Sequence, residues 1–165
     1  MTAPGGLDLS KLDLKAFITN NSKEIRGPQI FAVAKKLRSQ YKRLGAVGHC
    51  YGGWACFQLG AKGNDLVDAI SVAHPSLLTK EEIDAVAVPV QVNSPEHDSQ
   101  YTPEMKTHTV ETLTKLGFPF DYQYFPGREH GFAVRGNPQD KEEQKDMIRA
   151  KNATASWFGN YLVLN

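Results

Sequence analysis

The sequence predicts an α/β fold: a mostly parallel sheet of about four strands with helices on both faces. Three observations carry that expectation. Short apolar runs alternate with longer stretches of helical spacing, glycine or proline marks most changes of pattern, and the segments between strands are long enough for the helical crossovers that parallel neighbours require. At 165 residues the chain has room for one core and reads as a single domain over 1–165, with 1–12 expected to be flexible.

The elements follow in order. Gly27-Pro28 reads as a break with a first-turn proline, after which Ile30, Phe31, Val33, Ala34 and Leu37 share one helical face as far as about Tyr41. Leu44 to Gly48 is a short apolar run bounded by glycines, and Gly52 to Leu59 has helical spacing and stops at Gly60, giving strand, tight turn and helix. Val67–Ala73 and Val86–Val92 read as further strands around a short helix whose Thr79 and Glu82 suit a capping box. A third helix is expected from Thr102 and Pro103 to Gly117, then a strand at Phe120–Phe125, a loop from Pro126 to Pro138 and a long helix from Asp140 to Leu162. In that last helix Met147, Ile148, Ala150, Trp157, Phe158 and Tyr161 are available to the core.

Composition narrows the function. Nineteen Lys and Arg against 18 Asp and Glu leave a formal charge of +1, which provides no whole-chain attraction for nucleic acid or an anionic membrane. A small neutral or singly charged ligand fits better. The start, MTAPGGLDLSKLDLK, has no basic segment followed by an apolar one, and no window is apolar enough to span a bilayer, so a cytoplasmic protein is expected. Cys50 and Cys56 lie on one strand-to-helix unit with no second pair, which argues against zinc or a stabilising disulfide. Cys56 reads as a small buried hydrophobe.

The sharpest local signal is Gly48-His49-Cys50-Tyr51-Gly52-Gly53, a G-x-C-x-G arrangement between strand and helix. A nucleophile lifted above a sheet edge needs a turn so tight that the residues two before and two after it approach one another, a role expected of Gly48 and Gly52. The helix that follows points its first amides at the sulfur, which favours thiolate, and makes the Tyr51 N–H an oxyanion donor. Partners are sought at later strand ends. Val90–Asp98 carries Asp98 just past a strand, with Glu96 as the alternative acid, and His130 sits in the loop after the last strand. His130 would take the thiol proton and return it to a leaving group, while the acid fixes its tautomer. Among the other histidines, His49 belongs to the turn, His97 and His108 read as surface residues, and His74 ends a strand close enough to line a pocket. Trp54 and Phe57 read as core residues of the helix after the turn.

The stretches GHCYGGW, AHPSLL, VPVQVNSPEHD and YQYFPGREHGFAVRG resemble the dienelactone hydrolase family, a branch of the α/β-hydrolases with a Cys-Asp-His triad, from about Asp13 to the C-terminus. Residue by residue, the resemblance implies Cys50 as nucleophile, Asp98 as acid and His130 as base. Tyr51, His74, Phe132 and Arg135 are expected to border the oxyanion site and pocket. The resemblance also implies hydrolysis of a small ester or lactone through a cysteine acyl-enzyme, with no metal and no organic cofactor. A full domain of that family has a further N-terminal portion supplying a second oxyanion N–H. Leu44–Val47 is therefore expected to form a sheet edge, paired in a homodimer or covered by an N-terminal segment. Arg135 falls one residue from where the resemblance implies a carboxylate-binding arginine. Two alternatives stand beside hydrolysis: a catalytically weak binding or assembly module, and lyase, cyclase or isomerase chemistry in a biosynthetic pathway with His130 as proton shuttle.

Overall fold

The computed structural model describes residues 13–163, so the expectation for 1–12 lies outside the described residues. The chain forms two compact units that meet in sequence at Val33 and Ala34. The first holds α1 (Leu14–Asn20) and the beginning of α2 (Lys23–Arg38). Asp13 caps α1 by accepting the Ala16 N–H at 2.9 Å. Gly27-Pro28 does not break the chain: α2 starts at Lys23 and carries Pro28 as its sixth residue. So near a helix start, proline sacrifices one backbone hydrogen bond and the turn survives. Val33, expected on the apolar face, is 60% exposed.

The second unit carries the sheet. Its elements are β1 (Gly45–His49), α3 (Tyr51–Leu59), β2 (Ala69–Ala73), α4 (Lys80–Asp84), β3 (Val90–His97), α5 (Pro103–Leu116), β4 (Phe120–Glu129) and α6 (Lys141–Leu162). The four strands are parallel in the order β1-β2-β3-β4. Among the described residues β1 is an edge, as expected, with Val47 55% exposed. Strand alternation divides the faces. On one, Ile70, Val72, Val90 and Val92 are fully buried with Phe57 of α3. On the other, Ser71, Gln91 and Asn93 face α6 through a polar ladder. Ser71 donates to Gln91 Oε1 at 2.7 Å, Gln91 donates to Asp121 at 3.0 Å, and Thr154 of α6 donates to Gln91 at 3.3 Å. Gln91 thus uses both ends of its amide, which is what makes burying it tolerable.

Several boundaries differ from expectation for identifiable reasons. Pro89 has no N–H for a ladder, so β3 begins at Val90, and Val86 instead forms an isolated antiparallel bridge with Ala61. Val67 and Asp68 precede β2 rather than opening it. β4 continues through Pro126, expected as loop, to Glu129, because the register with β3 shifts between Pro95 and His97 and accommodates the prolines in an irregularity. In α6, Ala150 and Trp157 are buried as expected, but Ile148 is 53% exposed. The Thr79–Glu82 capping box, the Thr102 cap and the left-handed Gly117 (φ 71°) that ends α5 match their sequence signals. No helix among the described residues is long and apolar enough to cross a membrane.

Asp68 ties the start of β2 to the segment entering β1. It accepts the Leu44 N–H at 2.7 Å and pairs with Arg38 at 2.9 Å and Arg43 at 3.3 Å. Burial opposes its charge, but the Arg38 hydrogen bond and these other partners hold the carboxyl below its ordinary range. Its contribution is therefore present at neutral pH and lost as pH falls through the depressed folded value. Asp68→Asn is expected to lower stability at neutral pH by about 1 kcal/mol, a modest figure because water screens the pairs. Thermal melts should show that deficit shrinking as the pH enters the carboxylate range.

Candidate active site

The site begins with the backbone of Cys50, which joins β1 to α3 at φ 53° and ψ −121°. A side-chain-bearing residue rarely occupies this region, and holding it there costs roughly 1–3 kcal/mol. The surroundings impose it. The Cys50 N–H donates to Ala73 O at 3.2 Å, its carbonyl accepts the Ser76 N–H at 3.0 Å, and the Gly53 N–H bonds that carbonyl at 2.9 Å. Gly48 is required as expected, since a Cβ there would lie 2.0 Å from the Gly52 carbonyl oxygen. Gly52 is not: a Cβ on it would meet nothing within 4 Å. The second close approach is at Gly53, whose Cβ would come 2.6 Å from Pro75.

The other two groups arrive through the β3–β4 register. His97 pairs with Glu129, so the next residue on each strand, Asp98 and His130, emerges at the same sheet end. His130 Nδ1 lies 2.9 Å from Asp98 Oδ2 and 3.0 Å from Oδ1, and its Nε2 lies 3.1 Å from Cys50 Sγ. Asp98 also accepts the N–H groups of Gln100 at 2.8 Å and Tyr101 at 3.0 Å, and its side chain is fully buried. Glu96, the alternative acid, is turned elsewhere: its Oε2 accepts the Gly127 N–H at 2.7 Å and laces β3 to β4 at the irregularity. Lys106 of α5 adds a brace that sequence reasoning missed, donating to the carbonyls of Pro95 and Glu96 at 2.6 and 2.8 Å.

Electrostatics follow from these contacts. The His130 hydrogen bond lowers the Cys50 thiol to about 7, against opposition from burial and with help from Ser76 and the Tyr51 N–H. His130 is raised to about 9, chiefly by Asp98 and then by Cys50. Burial would raise Asp98, but the His130 bond and the two backbone N–H groups outweigh it and hold the carboxyl low. An imidazolium facing a thiolate is thus favoured between about pH 7 and about pH 9. Cys56, by contrast, is 3% exposed, and burial pushes its thiol up to about 12. Both cysteines are free.

The remaining candidates take differing places. The Tyr51 N–H starts α3 beside the sulfur, while its ring packs on Trp54 with centroids 5.2 Å apart. His74 is fully buried, 5.0 Å from the His130 ring and 5.8 Å from Phe132, and burial first, then the nearby histidines, lowers it to about 3, leaving it neutral. Phe132 stacks on Phe125 at 4.5 Å and lines a cleft of about 330 Å³ with His130, Arg128 and Arg135. The exposed Arg135 lays its guanidinium over Gly131. His97 is exposed as expected, but His108 is largely covered and sits 2.8 Å from Asp84, joining α5 to α4. Trp54 and Phe57 are core residues, and Trp54 also donates to Glu82 at 2.8 Å. The structure adds Ser76, whose hydroxyl lies 3.4 Å from the Cys50 sulfur. The only signal for it in the sequence was its place in the His74-Pro75-Ser76 stretch.

Alkylation of Cys50 by a neutral reagent is expected to rise with a midpoint of about 7. His130→Ala should move that midpoint up by more than about one unit, toward an ordinary thiol. A midpoint unmoved in a folded His130→Ala variant would show that the imidazole does not govern the sulfur.

Comparison with known proteins agrees with this arrangement of elements. The chain matches the dienelactone hydrolase family over residues 14–162. It is 28% identical over 167 residues to Hydrolase tropI of Talaromyces stipitatus, covering 98% of this chain and 65% of that protein. It is 28% identical over 137 residues to Hydrolase pyvD of Aspergillus violaceofuscus, covering 82% of this chain and 55% of that one. The chain thus spans between half and two thirds of the length of these relatives. Among solved structures it is similar to the dienelactone hydrolase-like promiscuous phosphotriesterase P91 from metagenomic libraries, with a TM-score of 0.69 at 17% identity over 94% of this chain and 70% of that one. A puromycin-hydrolyzing peptidase of Mycobacterium tuberculosis superposes with a TM-score of 0.67 at 18% identity, over 81% of this chain and 25% of that one. These structural likenesses speak for the fold, and the match over 14–162 speaks for descent: the chain belongs to the dienelactone hydrolase family.

Proposed function

We propose that the protein is a cofactor-independent hydrolase of a small ester or lactone, working through an acyl-enzyme on Cys50. The observation that carries this reading is the chain of contacts from Asp98 through His130 to the Cys50 sulfur, 2.9 Å and then 3.1 Å long. In the resting state the thiol proton sits on His130 Nε2, and Asp98 holds Nδ1–H and stabilises the imidazolium. The thiolate attacks the acyl carbon, and the carbonyl electron pair moves onto oxygen, where the Tyr51 N–H at the positive end of α3 receives it. Collapse of that intermediate breaks the bond to the alkoxide, which takes the proton from His130 Nε2. For a lactone the alkoxide stays tethered. Neutral His130 then deprotonates a water, hydroxide adds to the thioester, and the thiolate leaves with its electron pair, regenerating the ion pair.

Short aryl esters test the reading. A burst of product followed by slower turnover is expected, with Cys50→Ala abolishing both and Asp98→Asn reducing kcat/KM by about 10²- to 10⁴-fold. The profile of kcat/KM against pH should be a bell with limbs at about 7 and about 9. Below the first limb the sulfur holds its proton, and above the second His130 has none to give the leaving group. Turnover that survives Cys50→Ala but is lost in His130→Ala would assign proton-shuttle chemistry instead. Absence of turnover in all forms would favour a binding role.

The β1 edge supports a further proposal about assembly. Among the described residues its outer edge has no strand partner, and that edge with the exposed Val47 suits strand pairing with a second copy of the chain. Sedimentation is expected to show a dimer that Val47→Lys converts to monomer. A wild-type monomer would refute this proposal.

A further inference from the structure

Of the four non-glycine residues with positive φ among the described residues, three lie together: Cys50 at 53°, His74 at 38° and Leu77 at 60°. His74 and Leu77 bracket Pro75 and Ser76, so the turn leaving β2 is itself held in a conformation that side chains disfavour, directly against the strained turn that carries the sulfur. The two turns are bonded to each other. Cys50 donates its N–H to the last residue of β2, Ala73, and accepts the Ser76 N–H, while Pro75 fills the space left by the missing side chain of Gly53. Strain persists only where the surroundings over-determine it, and here one strained turn fixes the other. One consequence of the pairing is chemical: it places the Ser76 hydroxyl, in a residue only 5% exposed, 3.4 Å from Cys50 Sγ.

We infer that Ser76 is a catalytic residue, its hydroxyl donating a hydrogen bond to the Cys50 thiolate. The inference rests on the proposed role of Cys50 and extends it. A thiolate has no proton to give, so in the ion-paired state the serine O–H is the donor and the sulfur the acceptor. Two donors then converge on the sulfur, His130 Nε2–H at 3.1 Å and the Ser76 O–H at 3.4 Å. Ser76 keeps its proton throughout, since the thiol proton goes to His130 Nε2. On acylation the sulfur loses its charge and the serine bond weakens. When the tetrahedral intermediate of deacylation collapses, the charge returns and the bond re-forms, so the hydroxyl favours expulsion of the thiolate. The depressed thiol value agrees with this arrangement, Ser76 being one of its causes after His130. The serine differs from His130 in one testable respect: its hydroxyl stays protonated across the whole working range, so it shifts the acid limb and leaves the alkaline limb in place.

The test is the pH dependence of Cys50 alkylation by iodoacetamide in wild type, Ser76→Ala and Ser76→Thr, with thermal melts to verify folding. Ser76→Ala is expected to raise the midpoint by roughly half to one unit, equivalent to roughly three- to ten-fold slower alkylation well below the midpoint. Ser76→Thr, which keeps the hydroxyl, should restore it. A folded Ser76→Ala protein with the wild-type midpoint overturns the inference while leaving the Cys50–His130 reading intact. A wild-type midpoint as high as an ordinary thiol defeats that reading itself. Should the alanine variant not fold, the ¹³Cβ resonance of Ser76 in the wild-type protein decides: it is expected to titrate with the Cys50 thiolate and to be flat over that range in Cys50→Ala. A flat resonance in the wild type overturns the inference.

Discussion

The site depends on a backbone conformation that Cys50 would not adopt by itself. At φ 53° and ψ −121° the sulfur is lifted from the sheet edge, and the neighbouring turns supply what the local sequence cannot. The N–H and C=O of Cys50 are bound by Ala73 and by Ser76 and Gly53, and Gly48 and Gly53 permit contacts that any Cβ would block. Local strain of this kind is typical of positions where geometry matters more than stability. The compensation is spread over β2 and its exit turn, which explains why the structure beside the sulfur is so fully buried: Ala73, His74, Pro75 and Ser76 are all inaccessible or nearly so.

The opposite wall of the site is built by register rather than strain. Asp98 and His130 lie 32 residues apart in sequence, yet the pairing of His97 with Glu129 delivers them to adjacent positions. That pairing lies past an irregularity caused where two prolines, Pro95 and Pro126, sit in adjoining strands, and two charged side chains hold it closed. Glu96 binds the Gly127 N–H, and Lys106 binds the carbonyls of Pro95 and Glu96. The ladder of Ser71, Gln91, Asp121 and Thr154 secures α6 on one face, while the apolar residues of β2 and β3 secure the other, leaving the strand ends as the place where charged groups can project.

Much of this was legible in the residues. Periodicity and glycine punctuation gave the four strands and their helices, because those signals are local and each has one dominant cause. The G-x-C-x-G pattern located the turn, though it named the wrong second glycine: Gly52 has open space where a Cβ would be, and Gly53 carries the constraint through a contact with Pro75 that only the fold creates. Proline misled twice in opposite directions. Pro28 suggested a helix start and lies inside α2 with the loss of one backbone hydrogen bond, and Pro126 suggested a loop and lies inside β4, the strand at the end of the order opposite β1. The choice between Asp98 and Glu96 could not be made from spacing, because the two differ by a register shift that appears only when β4 is in place. Ser76 carried no signal beyond its place after His74 and Pro75. Its proximity to the sulfur comes from strained backbone at His74 and Leu77, which no composition rule announces.

The most direct measurement of the central claim is the mass of the protein quenched during turnover of a short aryl ester. The account predicts one added acyl group, removable by hydroxylamine, that fragmentation assigns to Cys50 and not to Cys56, whose thiol burial pushes up to about 12. Ester cleavage without such an adduct at any quench time, or with the acyl group on another residue, would contradict it.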